Sequence, residues 1–262
     1  MSDRYALIGN PVAHSKSPWI HARFARDCGQ DLDYGLIEAS PEGFAAAVDA
    51  FRAAGGKGLN VTLPFKEQAF QYSERTSARA AQVVNTLAFG AEVFGDNTDG
   101  VGLVRDLRVN LGIELAGRRV LVMGAGGAAQ GVVGALLEAG VAQLVVANRT
   151  LGRAQALAAR HPGVTAKSYA SLGEPVDIVI NATSAGLAGD GLALPHGLLG
   201  KGTLAYDMVY GRDTPFLAAA RAAGARVSDG LGMLVEQAAD SFLVWRGVRP
   251  ETGAVLADLR RS

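Results

Sequence analysis

Val120-Leu121-Val122-Met123-Gly124-Ala125-Gly126-Gly127-Ala128-Ala129 decides the fold, together with the apolar run to Gly140 and Leu144-Val145-Val146-Ala147-Asn148-Arg149-Thr150 that follow it. A short apolar strand feeds a glycine turn, and a helix opens inside that turn. A second strand then arrives at the distance a right-handed βαβ crossover requires. Gly124 permits the sharp exit from the strand. Gly126 lets the backbone approach a pyrophosphate, whose charge is met by free N–H groups of Gly127, Ala128 and their neighbours at the helix N-terminus. Ala129 takes the third position and still allows close packing. Glycine turns are common, but this one has the strand before it and the helix and strand after it that a dinucleotide site needs.

The end of the second strand selects the nucleotide. A carboxylate there would hold the ribose 2′-hydroxyl of NAD, whereas this chain places Asn148, Arg149 and Thr150 there and Arg153 one helical turn on. A guanidinium suits a 2′-phosphate. The expected cofactor is therefore NADP(H). The bland alternative is that both arginines are solvated residues of a helix start.

Composition narrows the partners. Lysine plus arginine and aspartate plus glutamate number 25 each, so no basic field exists to hold nucleic acid or an anionic membrane surface. A chain of 262 residues that is 49% apolar supports a substantial core and about two domains. Cys28 is the only cysteine, which excludes an intrachain disulfide and a thiolate-rich metal site. No signal-type apolar region follows Met1-Ser2-Asp3-Arg4 and no run is long enough to span a bilayer, so a cytoplasmic protein with a small-molecule partner is expected.

Outward from the glycine turn the pattern alternates. Apolar segments at 5–8, 32–37 and 57–62 read as strands, separated by helices from Pro18 to near Gly29 and over 42–54, with Ser17 as a candidate N-cap. Lys66 follows Leu63-Pro64-Phe65 at a strand's carboxyl end, before another helix begins. Two short helices are expected over 70–81, then paired strands at 83–89 and 92–95, then a helix from Asp99 to about Asn110. Beyond the βαβ unit come a helix at 151–160, a short strand near Val164, strands at 176–180 and 203–209, a helix at 215–223, and Arg226-Val227. Asn181-Ala182-Thr183-Ser184-Ala185-Gly186 forms a small-residue loop where open parallel sheets bind ligands. Residues 231–245 carry Leu234, Ala238, Phe242 and Trp245 at helical spacing and are expected to return to the first domain. The expected class is α/β with two domains: a mostly parallel-sheet substrate domain at 1–100, completed by about 232–262, and a Rossmann-type domain at 101–231.

Polar residues gather in three loops, each of which follows or ends a predicted strand: Ser15 and Ser17; Asn60, Thr62 and Lys66; Asn85 and Asp99. Hydroxyls and amides converging at one sheet edge suit a small polyhydroxylated ligand. Reducing a ketone by hydride needs a proton for the forming alkoxide, and Lys66 is the best donor, with Asp99 as its partner. Taken alone, the lysine reads as a surface charge and the aspartate as a helix cap. His14 and His21 lack a nearby carboxylate to complete a metal set and are read as making structural or loop-ordering hydrogen bonds; His161 and His196 read as loop residues. No metal is expected.

Taken together, several motifs resemble the shikimate dehydrogenase family over nearly the whole chain. They include Gly9-Asn10-Pro11 through His14-Ser15-Lys16-Ser17-Pro18, Asn60-Val61-Thr62-Leu63-Pro64-Phe65-Lys66, Val84-Asn85-Thr86-Leu87, Gly95-Asp96-Asn97-Thr98-Asp99-Gly100, the glycine turn, Asn148-Arg149-Thr150, Tyr206-Asp207-Met208-Val209-Tyr210 and Asp229-Gly230-Leu231-Gly232-Met233-Leu234. The resemblance implies NADPH-dependent, reversible reduction of 3-dehydroshikimate to shikimate, on the route to chorismate and the aromatic amino acids. It implies that Ser15, Ser17 and Tyr210 bind the carboxylate, that Thr62, Asn85, Asp99 and Gln237 hold ring hydroxyls and carbonyl, and that Lys66 is the acid/base. Met208, Gly230 and Met233 would line the nicotinamide side, with Thr183 also counted among the cofactor residues, and 148–153 would hold adenosine and the 2′-phosphate. The Ser-x-Ser form and Arg149 favour this reading over an NAD-linked quinate/shikimate dehydrogenase. A ligand-sensing protein of the same fold without redox chemistry is the alternative from another class. Either a monomer or a homodimer fits.

Overall fold

A computed structural model describes residues 2–183, 195 and 197–261. Ser184, Ala185, Gly186 and His196, all of which figure in the sequence reading, lie outside the described residues. The chain divides into two compact units, one formed by 1–103 with 234–262 and the other by 104–233.

The first unit is built on a six-stranded mixed sheet. Its strands are β1 (Asp3–Gly9), β2 (Leu32–Glu38), β3 (Gly56–Val61), β4 (Arg75–Thr76), β5 (Thr86–Phe89) and β6 (Val93–Asp96), in the order β2-β1-β3-β5-β6-β4. β2, β1 and β3 run parallel, while β5 is antiparallel to both β3 and β6. Helices Ser17–Asp27 and Phe44–Ala53 make the parallel crossovers. Ile8, Phe44, Val48, Leu59, Val61, Phe65 and Leu87 are buried in one continuous core beside them. Each such side chain contributes about 1.5–3 kcal/mol by leaving water. Helix Leu231–Arg246 belongs to this core from residue 234 onward, where Trp245 stacks on Tyr5 at 4.6 Å and donates from Nε1 to the Leu87 carbonyl at 2.9 Å.

Several local expectations are corrected. Ser17 is the first residue of its helix, Lys16 holds the cap position, and no side chain caps it. Lys66 opens helix Lys66–Tyr72 instead of preceding it, because the turn ends at Phe65. The second short helix expected before residue 81 is replaced by β4 and a single 3-10 turn at Ala78–Ala80. The helix from Asp99 is α-helical only to Arg105, and Asp106–Asn110 continues as a π-helix.

The second unit carries an all-parallel sheet of β7 (Arg119–Met123), β8 (Gln143–Asn148), β9 (Val164–Ser168), β10 (Ile178–Asn181), β11 (Leu204–Asp207) and β12 (Arg226–Ser228). The order is β12-β11-β10-β7-β8-β9. Numbered from β7, that is 3-2-1-4-5-6, the Rossmann order, with its reversal between β7 and β10. Val120, Leu121, Val122 and Met123 are all wholly buried, as a strand covered on both faces must be.

Candidate active site

In the first unit, the carboxyl ends of β1, β3 and β6 and the amino end of β5 lie at one edge of the sheet. The loops after β1 and β3 are tied together there, since Asn10 donates from its N–H to the Leu63 carbonyl at 2.9 Å and Thr62 to Ile8 at 2.9 Å. Ser15 and Ser17 sit in the first loop and the first helical turn, and the Ser17 N–H donates to Ser15 Oγ at 3.1 Å. Thr62 comes from the second loop, and Lys66 from the first turn of the helix that follows it.

Lys66 Nζ donates to Asp99 Oδ2 at 2.5 Å, and both side chains are nearly out of solvent, 12% and 7% exposed. A pair withdrawn this far from water is screened little by salt. The other carboxylate oxygen, Oδ1, accepts from Asn85 Nδ2 at 2.9 Å. The same Asn85 amide nitrogen reaches Thr98 Oγ1 at 2.9 Å and Gln237 Oε1 at 3.3 Å. Lys66, Asp99, Asn85 and Gln237 thus form one cluster, drawn from four separate stretches of the chain.

The turn leading into Asp99 is held by groups to which the sequence motif assigned no individual role. Buried Asp96 accepts from Ser77 Oγ, from the Arg79 guanidinium and from the Asn97 N–H, the last at 2.7 Å. Asn97 Oδ1 accepts the Asp99 N–H at 3.0 Å, and the Thr98 N–H donates to Asn85 Oδ1 at 2.8 Å. The run Asp96-Asn97-Thr98 was visible as a polar block before a helix, which is the signal that could have marked it.

Asn60, like Asn85, bonds within the protein. It is buried at 4% exposure, and its amide bonds inward: Nδ2 to Ser241 Oγ at 2.8 Å, Thr86 Oγ1 at 3.2 Å and the Asn85 carbonyl at 3.2 Å, while Oδ1 accepts from Tyr34 at 2.7 Å. His21 is fully buried, stacks on Tyr34 at 4.2 Å, and neither ring nitrogen has a hydrogen-bond partner. Burial lowers its pKa to about 3, with the Asn60 side chain opposing the shift, so the ring is neutral. It belongs to an aromatic stack, with Asn60 as the polar side chain that bears on it. His14 is exposed.

In the second unit, the Gly124 turn leaves β7 with φ +105°, and a Cβ there would lie 3.0 Å from the Ala182 carbonyl oxygen that follows β10. The two loops at the sheet's reversal are therefore in backbone contact, which only glycine permits. Gly126 caps helix Gly127–Glu138, and a Cβ added to it would meet nothing within 4 Å. The first-turn N–H groups behind it lack helical partners and stand open to an anion. Ala125, Gly127 and Ala128 complete that turn. These features fit the pyrophosphate of a dinucleotide.

At the end of β8, Asn148 Nδ2 donates to the Thr150 carbonyl at 2.9 Å, which shapes the turn before helix Leu151–Arg160. Arg149 and Arg153 are exposed. Arg149 is near enough to Tyr169 to lower that phenol's pKa in part, against the larger upward effect of burial. Two exposed guanidiniums beside a turn free of carboxylates fit a phosphate. Thr183 donates from N and Oγ1 to Asn181 Oδ1, at 3.1 and 2.7 Å. Asp207, at the end of β11, accepts from Asn181 Nδ2, the Val209 N–H and Thr214 Oγ1, at 3.2, 3.1 and 2.5 Å, so it fastens the loop carrying Met208 and Tyr210. Gly230 donates from its N–H to the Val209 carbonyl at 3.1 Å, and Met233 is buried. Tyr210, expected beside Ser15 and Ser17, belongs to the second unit.

Three family descriptions match the chain in succession: shikimate dehydrogenase substrate binding domain at residues 7–87, shikimate / quinate 5-dehydrogenase at 107–188, and shikimate 5′-dehydrogenase C-terminal domain at 230–260. The chain belongs to the shikimate dehydrogenase family. Among family relatives, the shikimate dehydrogenase (NADP(+)) of Aromatoleum aromaticum is 57% identical over 272 residues, covering 99% of this chain and 98% of its own. An Ael1 enzyme from Pseudomonas putida, solved by crystallography, has a TM-score of 0.92 at 50% identity over 98% of both chains. The Thermus thermophilus shikimate 5-dehydrogenase, solved with NADP(H) and shikimate, has a TM-score of 0.89 at 37% identity over 99% of both chains. The α/β class with a Rossmann-like unit, read from the glycine turn, is the fold of this family.

Proposed function

We propose that the chain is a cytoplasmic NADP-dependent shikimate dehydrogenase that reversibly reduces 3-dehydroshikimate to shikimate, one step in the supply of chorismate for aromatic amino acids. The observation that carries this reading is the part-buried 2.5 Å contact between Lys66 Nζ and Asp99 Oδ2, within a cluster of amides and hydroxyls suited to a polyhydroxylated ring. Bound NADPH supplies the hydride. The chain supplies the proton and the orientation.

Lys66 donates a proton to the carbonyl oxygen as it becomes an alkoxide, and accepts one from the hydroxyl in the reverse direction. Asp99 holds the ammonium in place and takes a hydrogen bond from a ring hydroxyl. Thr62, Asn85 and Gln237 grip the ring, and Ser15, Ser17 and Tyr210 meet the carboxylate. Asn60, whose amide bonds to Tyr34, Thr86 and Ser241, borders the same ring site. The turn from Gly124 to Ala128 holds the pyrophosphate, Asn148, Arg149, Thr150 and Arg153 the adenosine and its 2′-phosphate, and Thr183, Met208, Gly230 and Met233 the nicotinamide end.

The decisive test is initial-rate turnover with shikimate and with quinate, each with NADP and with NAD. Shikimate with NADP is expected to give the highest kcat/KM. Quinate with NAD as the best pair would replace this reading with the quinate branch, and cofactor binding without turnover would make the chain a sensor.

A further inference from the structure

A buried chain of hydrogen bonds with a single direction runs from β2 to the Lys66–Asp99 pair. The Tyr34 hydroxyl donates to Asn60 Oδ1 at 2.7 Å, and Asn60 Nδ2 donates to Thr86 Oγ1 at 3.2 Å. Thr86 Oγ1 donates to Asn85 Oδ1 at 2.9 Å, and Asn85 Nδ2 donates to Asp99 Oδ1 at 2.9 Å. Ser241, on helix Leu231–Arg246, braces the middle. Its Oγ accepts from Asn60 at 2.8 Å, touches Thr86 Oγ1 at 2.8 Å and donates to the Gln237 carbonyl at 3.0 Å.

Two backbone groups fix the direction. The Asn85 carbonyl can only accept, so the Asn60 atom 3.2 Å from it is the amide nitrogen, and Tyr34 is left to donate to Asn60 Oδ1. The Thr98 N–H can only donate, so the Asn85 atom 2.8 Å from it is Oδ1, and Nδ2 is turned toward Asp99. Turned the other way, the Asn85 amide would set its oxygen against the Asp99 carboxylate. Thr86 is completely buried, as is Ser241, so an unmade bond at either has no water to replace it.

We infer that Tyr34, Thr86 and Ser241 are positioning residues for the reaction: their hydroxyls hold the Asn85 amide so that one N–H pins Asp99 Oδ1 and leaves Oδ2 to Lys66. None of the three was singled out by sequence for the site. Burial raises the Tyr34 phenol well above its ordinary pKa, so it remains a protonated donor. The inference rests on the shikimate dehydrogenase reading.

Thr86→Val replaces the hydroxyl by a methyl group of the same shape. With shikimate and NADP, kcat is expected to fall about tenfold, in line with one unmade buried hydrogen bond, while the KM for NADP stays at the wild-type value. Thr86→Ser restores the hydroxyl and is expected to restore most of kcat. In an Asn85→Ala background, Thr86→Val is expected to cost nothing further, because the amide it orients is gone. Tyr34→Phe keeps the ring stacked on His21 and is expected to lower kcat in the same direction, so the inference survives a Thr86 variant that fails to fold. Wild-type kcat in both Thr86→Val and Tyr34→Phe would overturn it. A lowered melting temperature with unchanged kcat in both would overturn it too, as would equal losses in Thr86→Val and Thr86→Ser. Absence of shikimate turnover in the wild-type protein is a separate outcome, and it removes the function on which the inference rests.

Discussion

The hydroxyl of Tyr206, a wholly buried residue of β11, donates to Oδ2 of Asp106, also wholly buried, at 2.6 Å. Asp106 opens the π-helical stretch, and its Oδ1 accepts from Asn110 Nδ2 at 3.0 Å. The Met233 backbone bears on the same tyrosine, lowering its pKa in part against the larger upward effect of burial. Both points where the chain passes between the units, 103/104 and 233/234, therefore lie within a few residues of this one buried polar contact.

Gly232 makes room for it. A Cβ at residue 232 would lie 1.9 Å from Asp106 Oδ1, in a carboxylate already committed to Tyr206 and Asn110. Gly232→Ala is expected to lower stability by about 1–3 kcal/mol, the usual cost of overpacking a filled interior. Urea denaturation checks this, and an unchanged midpoint would show that the carboxylate moves aside freely.

Lys66→Ala tests the acid/base assignment. Losing a positioned proton donor lowers kcat by ~10²–10⁴-fold, because the ammonium acts on charge that develops only in the transition state. The dissociation constant for NADP, measured by calorimetry, is expected to stay within about twofold of wild type. Turnover close to wild type would remove the lysine from the mechanism.

Arg149→Asp tests the phosphate contact. The change removes a charge-assisted partner of the 2′-phosphate and supplies the carboxylate that suits a free ribose hydroxyl. The ratio of kcat/KM for NADP over NAD is expected to fall by about 10–100-fold, the equivalent of one charged hydrogen bond. An unmoved ratio would transfer the 2′-phosphate to Arg153 or to another residue.

What the sequence made legible divides along physical lines. The Rossmann unit was readable because its signals are local: an apolar strand, a glycine turn at φ +105° and a helix follow one another within a few residues. Lys66 and Asp99 were expected as partners from chemistry, and they lie 2.5 Å apart. The surroundings of Asn60 were not readable, since its amide bonds to Ser241, which is 181 residues away in sequence, and to Tyr34 on a strand to which the sequence assigned no part in the site. The surroundings of His21 were hidden for the same reason. Its helix position marks it as facing inward, but only the assembled stack of Tyr34, Phe24, Phe242 and Trp245 leaves both ring nitrogens without partners.

That stack gives the protein a specific acid sensitivity. His21 titrates at about 3 when folded, against its ordinary value of 6.5, because burial disfavours the charged ring. The unfolded chain therefore binds a proton below pH 6.5 that the folded chain refuses until about pH 3, and stability drains away as pH falls through that window. At pH 5 the loss from this one residue is about 2 kcal/mol relative to pH 7. His21→Phe keeps an aromatic ring in the stack and removes the proton. The difference in unfolding free energy between variant and wild type is expected to move by about 2 kcal/mol in the variant's favour between pH 7 and pH 5. Any packing offset cancels in that comparison, because it is the same at both pH values. A difference that stays constant with pH would mean that the folded protein lets His21 take up its proton near pH 6, by opening the stack to water.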